Sequence, residues 1–368
     1  YEPSLFGGYR RIEGYEEYDP DYGTVTVDGS VTGDGKVLGI AIFKNDVTGG
    51  TTVIAARKDA GAATYSFYYH TADIGWRKFT LDHSATRPMT ANSLTVNRLR
   101  HVQFNFGTGN KIVFVDGVNE AIIFDGTAGG ALALNAPAVC DVFENHLFLS
   151  GHEATGAAIA HSAPKDPYTF TASAGAGQIA AGFDVVQIKP FRDNLFVFGS
   201  KDIKKITVNA SNAFVIENVT TNIGCVARDS VLEIGGDLMF LSPDGFRPVA
   251  GTSRVGDIEL ETLSKPIQST LVDIIKNEDM SELTGVVIRS KSQVRYFLTS
   301  TSGSDLVAAP ESIGIIGGLT DSSGSIGWEF GELLGIRASC TTSDYVGTSE
   351  LILHGDHDGK VFKQESGK

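Results

Sequence analysis

Apolar positions along this chain come in bursts of about 5–8 residues, rich in Val, Ile, Phe, Tyr and Thr and separated by Gly, Asp and Asn. The pattern predicts strands at Leu38–Phe43, Thr52–Arg57, Thr64–Tyr69, Trp76–Leu81, His101–Phe106, Lys111–Val115, Ala121–Phe124 and His146–Leu149. Further along it predicts Leu195–Phe198, Lys204–Val208, Phe214–Glu217, Leu238–Leu241, Val286–Ile288, Arg295–Thr299 and Leu351–His354. The gaps are too short for the crossover helices that parallel strands need, so the strands form a meander of antiparallel hairpins. One segment has the other period. Leu263, Ile267, Leu271, Ile274 and Ile275 stand at helical spacing, with Ser264 as N-cap and Pro266 in the first turn, which predicts a helix over about 263–277. It is expected against the side of the β fold or at a subunit contact. The low-complexity tracts Ala154–Ala160, Thr171–Gly182 and Ser300–Ser304 read as loops.

The hairpins repeat. Lys111-Ile-Val-Phe-Val-Asp-Gly, Asn145-His-Leu-Phe-Leu-Ser-Gly, Asn194-Leu-Phe-Val-Phe-Gly-Ser, Asp237-Leu-Met-Phe-Leu-Ser-Pro-Asp-Gly and Glu350-Leu-Ile-Leu-His-Gly-Asp share one order: a polar entry residue, an apolar strand and a Gly/Asp turn. The first apolar residue recurs at Ile112, Leu147, Leu195, Leu238 and Leu351, and the first three intervals are 35, 48 and 43 residues. Propeller blades of four strands have that length. The fold expected is all-β, a propeller of about five or six antiparallel blades over residues 31–368, with one inserted helix and with residues 1–30 as an N-terminal assembly segment. The gap from Leu238 to Leu351 would hold one more blade plus the insertion.

Composition then narrows the function. Lys and Arg number 30 against 44 Asp and Glu, a net charge of −14, which argues against a surface built to grip phosphates. Gly reaches 43 of 368 residues, above the usual ~7%, as a hairpin-rich chain requires. No run of ~18 apolar residues is present, so no stable membrane insertion by a helix is expected. Tyr1 to Gly23 holds five tyrosines and six carboxylates, unlike the apolar middle of a secretory signal. The start at Tyr1 rather than Met suggests a processed N-terminus or missing sequence. Cys140, Cys225 and Cys340 are far apart and read as buried small hydrophobes, not as a zinc site or disulfide framework.

Catalytic and ligand patterns are weak. Gly175-Ala-Gly177 lacks the third Gly of a dinucleotide loop, Gly35-Lys36 is no phosphate loop, and neither Gly-x-Ser-x-Gly nor His-Glu-x-x-His occurs. His354-Gly-Asp356-His357-Asp358-Gly359 could hold a divalent ion, but it fits a hairpin turn better because calcium loops need more oxygens at set spacing. Tyr15, Tyr18, Tyr22, Tyr65, Tyr68 and Tyr69 could meet a glycan or protein, although such rings more often pack between blades. Lys201, Lys204 and Lys205 read as a solvated strand face. Thr71-Ala-Asp73-Ile-Gly75-Trp76 is similar to the Asp-box turn of sialidase-type propellers with the aromatic one place off. That resemblance leaves open, as an alternative, a glycan-binding or glycan-hydrolysing propeller.

The segment Pro3-Ser-Leu-Phe-Gly7-Gly8-Tyr9-Arg10-Arg11-Ile-Glu-Gly14-Tyr15 resembles the opening of tail proteins of tailed bacteriophages, where Gly-Gly-x-Arg-Arg precedes a β-propeller. Asn222-Ile-Gly224-Cys225-Val-Ala-Arg228-Asp-Ser230, then Phe240-Leu-Ser-Pro-Asp244-Gly245-Phe-Arg247, resembles the core of phage nozzle proteins, also called tail tubular protein B or DNA-stabilisation protein. Gly256-Asp257-Ile-Glu259 and the closing Gly355-Asp-x-Asp358-Gly359-x-Val361 fit the same group.

The resemblance implies a structural virion protein of the tail, not an enzyme, with no cofactor or metal. It implies a ring, as a homohexamer, that continues the DNA channel below portal and adaptor proteins, meets tail fibres or tail-tip proteins, and touches viral DNA in transit. An acidic lumen would let a duplex slide, and the charge of −14 per subunit is compatible with that. The chain has little room for the platform and tip domains such proteins often carry, which leaves two readings open, a full distal nozzle or a more compact ring closer to the portal. Tyr9, Arg10 and Arg11, with Ile267 and Leu271 on the helix, are the expected assembly contacts, since Arg and Tyr are favoured at interface centres.

Overall fold

The computed structural model describes residues 1–4, 8–18, 35–46, 49–59, 64–71, 75–79, 98–126, 129–132, 136–152, 155–249, 262–299, 312–322 and 325–366. The described residues form seven consecutive antiparallel sheets, the blades of a β-propeller. Blade 1 is Val37–Lys44, Thr51–Lys58, Tyr65–Thr71 and Gly75–Phe79; blade 2 is Arg100–Asn105, Asn110–Val115, Ala121–Phe124 and Gly129–Leu132. Blade 3 is Val139–Phe143, His146–Ser150, Ala158–His161 and Gly177–Ala180; blade 4 is Gln187–Phe191, Asn194–Phe198, Ile203–Val208 and Phe214–Thr220. Blade 5 has three described strands, Leu232–Ile234, Asp237–Ser242 and Gly245–Pro248. Blade 6 is Thr284–Ile288, Gln293–Thr299, Ser312–Ser322 and Ser325–Glu332. Blade 7 is Cys340–Val346, Ser349–Gly355, Val361–Gln364 and, from the other end of the chain, Tyr15–Glu17.

The blade count of five or six is therefore corrected to seven. The repeated second strand that starts at Ile112, Leu147, Leu195, Leu238 and Leu351 marks blades 2, 3, 4, 5 and 7. Blade 1 lacks it because its second strand opens Thr51-Thr52, polar where the repeat has Leu or Ile; in blade 6 Val294 holds that place, but Arg295 interrupts the apolar run that follows. Blade 3 also takes strands from two tracts expected as loops, Ala158–His161 and Gly177–Ala180. Small residues pair there around Ile159 and Ile179, which reach the adjoining core.

Seven apolar clusters hold the ring, one at each blade-to-blade junction. Successive residues of a strand point to opposite faces. In Asn110–Val115, Ile112 and Phe114 pack toward blade 1 while Val113 and Val115 pack toward blade 3. In Asn194–Phe198, Leu195 and Val197 face blade 3 while Phe196 and Phe198 face blade 5. Strands sandwiched in this way read as unbroken apolar runs rather than as alternating ones. Two-residue turns join the first two strands of blades 3 and 5. Glu144-Asn145 and Gly235-Gly236 have positive φ throughout, as the tight primed turns of twisted hairpins demand.

Tyr15–Glu17, expected in a segment ahead of the propeller, closes it. Phe362 pairs with Glu17 and Gln364 with Tyr15, so the two ends of the chain complete one sheet. The Tyr15 ring meets His354 and Phe362 edge-on.

Helix α1 spans Gln268–Asn277 after a 3-10 turn at Lys265–Ile267. Leu271 is buried in the core between blades 5 and 6, and Leu263, Ile267, Ile274 and Ile275 pack against it. Ser264 does not cap the helix through its side chain. Its hydroxyl oxygen accepts the Phe246 amide at 2.9 Å and ties the helix to the third strand of blade 5. No helix among the described residues is long and apolar enough to cross a membrane.

Candidate functional site

The N-terminal segment folds onto the junction of blades 6 and 7. Glu2–Pro3 pairs with Tyr9–Arg10 in a short hairpin that lies on the outer strands of blade 6. The Gln293 side-chain amide donates to the Pro3 carbonyl at 3.2 Å. Glu2 is fully buried. Its carboxylate accepts from Lys291 Nζ at 2.9 Å, from Arg295 Nη2 at 3.0 Å, and from Arg10. Glu365, next to the last strand, pairs with Lys291 and Arg295, and Arg295 Nη1 donates to Gln364 Oε1 at 2.9 Å. Burial alone would raise the Glu2 pKa. The Lys291 hydrogen bond and the charges of Lys291, Arg295 and Arg10 outweigh it and hold the carboxyl below its ordinary value.

This network sorts the expected assembly residues. Tyr9 projects from the hairpin, 64% exposed, beside Glu329, and Arg11 is exposed. Arg10 is half-exposed but committed to Glu2. Ile267 packs against the core and Leu271 lies within it, so Leu271 is not placed to touch a partner. Next to the hairpin runs a groove of about 660 Å³ between the N-terminal segment and the start of blade 7, lined by Tyr1, Arg11, Ile12, Tyr15, Leu334 and Ile336. Tyr1 and Leu334 are the most exposed large apolar residues described, at 86% and 70%.

The axis of the propeller is a second concavity. The first strands or entry turns of all seven blades line a cavity of about 170 Å³, and ion pairs cross it. Lys189 of blade 4 reaches Asp141 of blade 3 at 2.9 Å. Arg100 of blade 2 binds Asp229, at the entry to blade 5, through two hydrogen bonds of 2.8 and 2.9 Å, and Arg98 adds a third contact at 3.0 Å. The Asp229 pKa stays low because Arg100 and Arg98 outweigh the burial that would raise it. Burial, then the Lys189 charge, lowers His101 to about 4. Cys140 lies beside these pairs with its thiol pushed far up by burial.

The remaining sequence candidates have structural roles. The Asp356 carboxylate accepts the Asp358 and Lys360 amides at 2.9 and 2.7 Å, closing the hairpin turn. His354 is buried and stacked on Phe362, and His357 Nε2 meets Thr299 Oγ1 at 2.6 Å. Among the described residues no group of three or more His, Cys, Asp or Glu side chains could hold a metal ion. All three cysteines are free and buried. Tyr65 donates to Asp116 at 3.1 Å inside the junction of blades 1 and 2. Tyr22, Asp73 and Gly256–Glu259 lie outside the described residues. Lys204 donates to the Ala181 carbonyl at 2.7 Å and Lys205 pairs with Glu217 at 3.3 Å, while Lys201 is exposed.

The second phage-like segment is a splice between blades 4 and 5. The Cys225 amide donates to the Gly199 carbonyl at 2.8 Å and the Val226 amide to the Leu241 carbonyl at 2.9 Å. The Ser230 hydroxyl donates to the Ala227 carbonyl at 2.6 Å and accepts the Leu241 amide at 3.1 Å. Sequence reasoning missed the Glu2–Arg295–Glu365 network and the Arg98–Arg100–Asp229 cluster. The available signal for the first was an arginine inside the apolar run Val294-Arg-Tyr-Phe-Leu298. For the second it was the pair Arg98-x-Arg100 at a strand entry.

No protein-family model matches the chain, and no curated protein matches it. Among solved structures, the extracellular domain of a protein described as a one-component system from B. thetaiotaomicron is similar in fold, with a TM-score of 0.51 at 8% identity. The match covers 97% of this chain and spans 40% of that structure's length. At that identity the likeness concerns the propeller fold alone.

Proposed function

We propose that the protein is a structural component of a bacteriophage tail, a propeller that assembles with copies of itself into a six-membered ring continuing the DNA channel in the virion. The reading rests on the resemblance of the Gly8-Tyr9-Arg10-Arg11 and Gly224–Arg247 segments to nozzle proteins. The observation that carries it is the exposure of Tyr1, Tyr9 and Leu334, with Arg11, along the seam where the chain ends meet. Large apolar and aromatic side chains gathered on a surface are typical of protein contacts. The conduit lies between copies, because the axial cavity of one propeller is about 170 Å³ and crossed by ion pairs. Portal and adaptor proteins, tail fibres or tip proteins and the passing duplex are the partners of such a ring. The alternative, a glycan-binding or glycan-hydrolysing propeller, rests on the near Asp-box around Asp73, which lies outside the described residues, and on the tyrosines, of which Tyr65 is buried and bonded to Asp116.

The test is the mass of the assembled protein at micromolar concentration, with images of the particle. Wild type is expected to form six-membered rings with a central hole. The Tyr9→Ser/Leu334→Asp double variant is expected to stay monomeric while keeping the wild-type circular dichroism spectrum and a cooperative melting transition. A wild-type chain that remains monomeric at high concentration and is absent from purified tails overturns the reading.

A further inference from the structure

A basic chamber sits at one mouth of the propeller axis, apart from the N-terminal seam. It measures about 390 Å³ and is lined by Lys36, Arg98, Arg100, Arg228, Ser281 and Glu282, among others. All of these stand at or just ahead of the first strand of a blade, so the topology gathers residues from blades 1, 2, 5 and 6 at one end of the axis. In a chain of net charge −14, four cations here face two carboxylates, Glu282 and the Asp229 beneath them.

The cations are not equally committed. Lys36 pairs with Glu282, and the Arg98 guanidinium also donates to the Glu282 carbonyl at 3.1 Å. Arg98 and Arg100 share Asp229. Arg228 is partly buried, and its guanidinium makes no hydrogen bond or salt bridge with any described residue. Burial first, and then the Arg100 charge, lower its pKa, and the neighbouring Asp229 carboxylate, which raises it, does not make up the difference. Asp229 offsets that cost only in part, because Arg100 and Arg98 already bind its oxygens, so a further anion at the recess would find two guanidinium groups short of negative charge.

We propose that this chamber binds a small phosphate monoester, with Arg228 and Arg100 as the groups that hold the phosphate. The two positive charges in excess match a phosphate monoester, which carries about −1.5 to −2 at neutral pH. The Arg228 guanidinium fork fits two of its oxygens, while Arg100, whose Nε and Nη2 are held by Asp229, offers its charge and Nη1. The volume, within the range of small-molecule sites, leaves room for an organic body beside the phosphate. The site does not depend on the assembly proposed above, because none of its residues lies on the N-terminal seam.

The test is calorimetric titration with phenyl phosphate in phosphate-free buffer at fixed ionic strength, with melting curves alongside. Wild type is expected to bind one equivalent saturably and to melt at higher temperature as ligand is added. Arg228→Gln should bind at least tenfold more weakly, yet melt no lower than wild type without ligand, because the Arg100–Arg228 repulsion is gone. Lys201→Gln, on the exposed turn of blade 4, should bind as wild type does. No saturable heat, equal affinity in Arg228→Gln, an equal response to acetate, or Arg228-dependent binding of duplex DNA without binding of phenyl phosphate would each overturn the proposal.

Discussion

Arg295 Nη2 lies 3.0 Å from Glu2 Oε2, across 293 residues of chain, and both side chains are almost wholly buried. Arg295 belongs to the second strand of blade 6, while Glu2 starts the hairpin laid over that blade. Through Gln364 and Glu365 the same guanidinium reaches the last strand of blade 7. One side chain thus ties the first residues, the last residues and the preceding blade together at the seam of the ring.

Removing Glu2 tests that tie. In Glu2→Ala the buried Arg295 and Lys291 keep, among the described residues, Glu365 alone as a carboxylate partner, and breaking a buried pair costs about 3–5 kcal/mol. Urea unfolding at pH 7 should show a loss of about 3 kcal/mol, and the N-terminal hairpin should become sensitive to limited proteolysis. A loss under about 1 kcal/mol would mean that Glu365 alone satisfies the cations. Because the folded pKa of Glu2 is depressed, its contribution is present above the ordinary 4.5 and disappears as pH falls through the folded value.

Acid should weaken the fold earlier than the carboxylates do, through buried histidines. Burial lowers His354 to about 3, and His357 falls to about 4, also chiefly by burial. The unfolded chain takes up a proton near the ordinary 6.5 while folded His354 stays neutral. Stability is therefore lost progressively as pH drops from 6.5 toward 3. At pH 5 the share of His354 is about 2 kcal/mol. His354→Phe, which keeps a ring against Phe362, should shrink the difference in unfolding free energy between pH 7 and pH 5 by about that amount. An unchanged difference would show that the imidazole becomes protonated inside the fold.

Gly224 should tolerate no side chain. A Cβ there would collide with the Ser200 carbonyl carbon and the Lys201 amide nitrogen, and would lie 2.5 Å from the Gly199 oxygen, all backbone atoms. Gly224→Ala should break the Cys225–Gly199 hydrogen bond, destabilise the protein by about 3 kcal/mol and expose the Cys225 thiol, which burial now raises to about 11. Thiol labelling of the native protein reads this directly. Gly331→Ala is the control, since its Cβ would meet nothing closer than 3.6 Å. Equal labelling of both variants would refute the role of Gly224.

Much of this fold was legible along the chain. Ala121–Phe124 matches its expected bounds, Leu195–Phe198 begins one residue late, and Leu271 lies on the expected helix. Local apolar runs and Gly/Asp turns dictate strands and hairpins through near neighbours, so they can be read without the fold. The count of five or six fell short because the recurring apolar strand marks only five blades. The first blade, legible as strands from Leu38 to Leu81, and the blade between Leu238 and Leu351 do not carry the mark, since one opens its second strand with threonines and the other has Arg295 in its own. Leu271 was misassigned because an apolar stripe on a helix looks the same whether it meets the core of its own chain or a partner.

By itself the sequence determined an all-β meander, its hairpin turns and the helix that holds Leu271, because those follow from periods of two and 3.6 residues and from turn chemistry. It also set the charge of −14, but not where that charge lies. Ring closure by Tyr15–Glu17, burial of Glu2 against Arg295, and the meeting of Arg98, Arg100, Lys36 and Arg228 at one mouth were decided by tertiary structure. Each joins residues from distant parts of the chain, and no local pattern encodes which ends of seven sheets will converge. The physical reason is closure: once every junction between blades must bury its apolar faces, the first strands point at one axis, and the charges at their entries are brought together whatever lies between them in sequence.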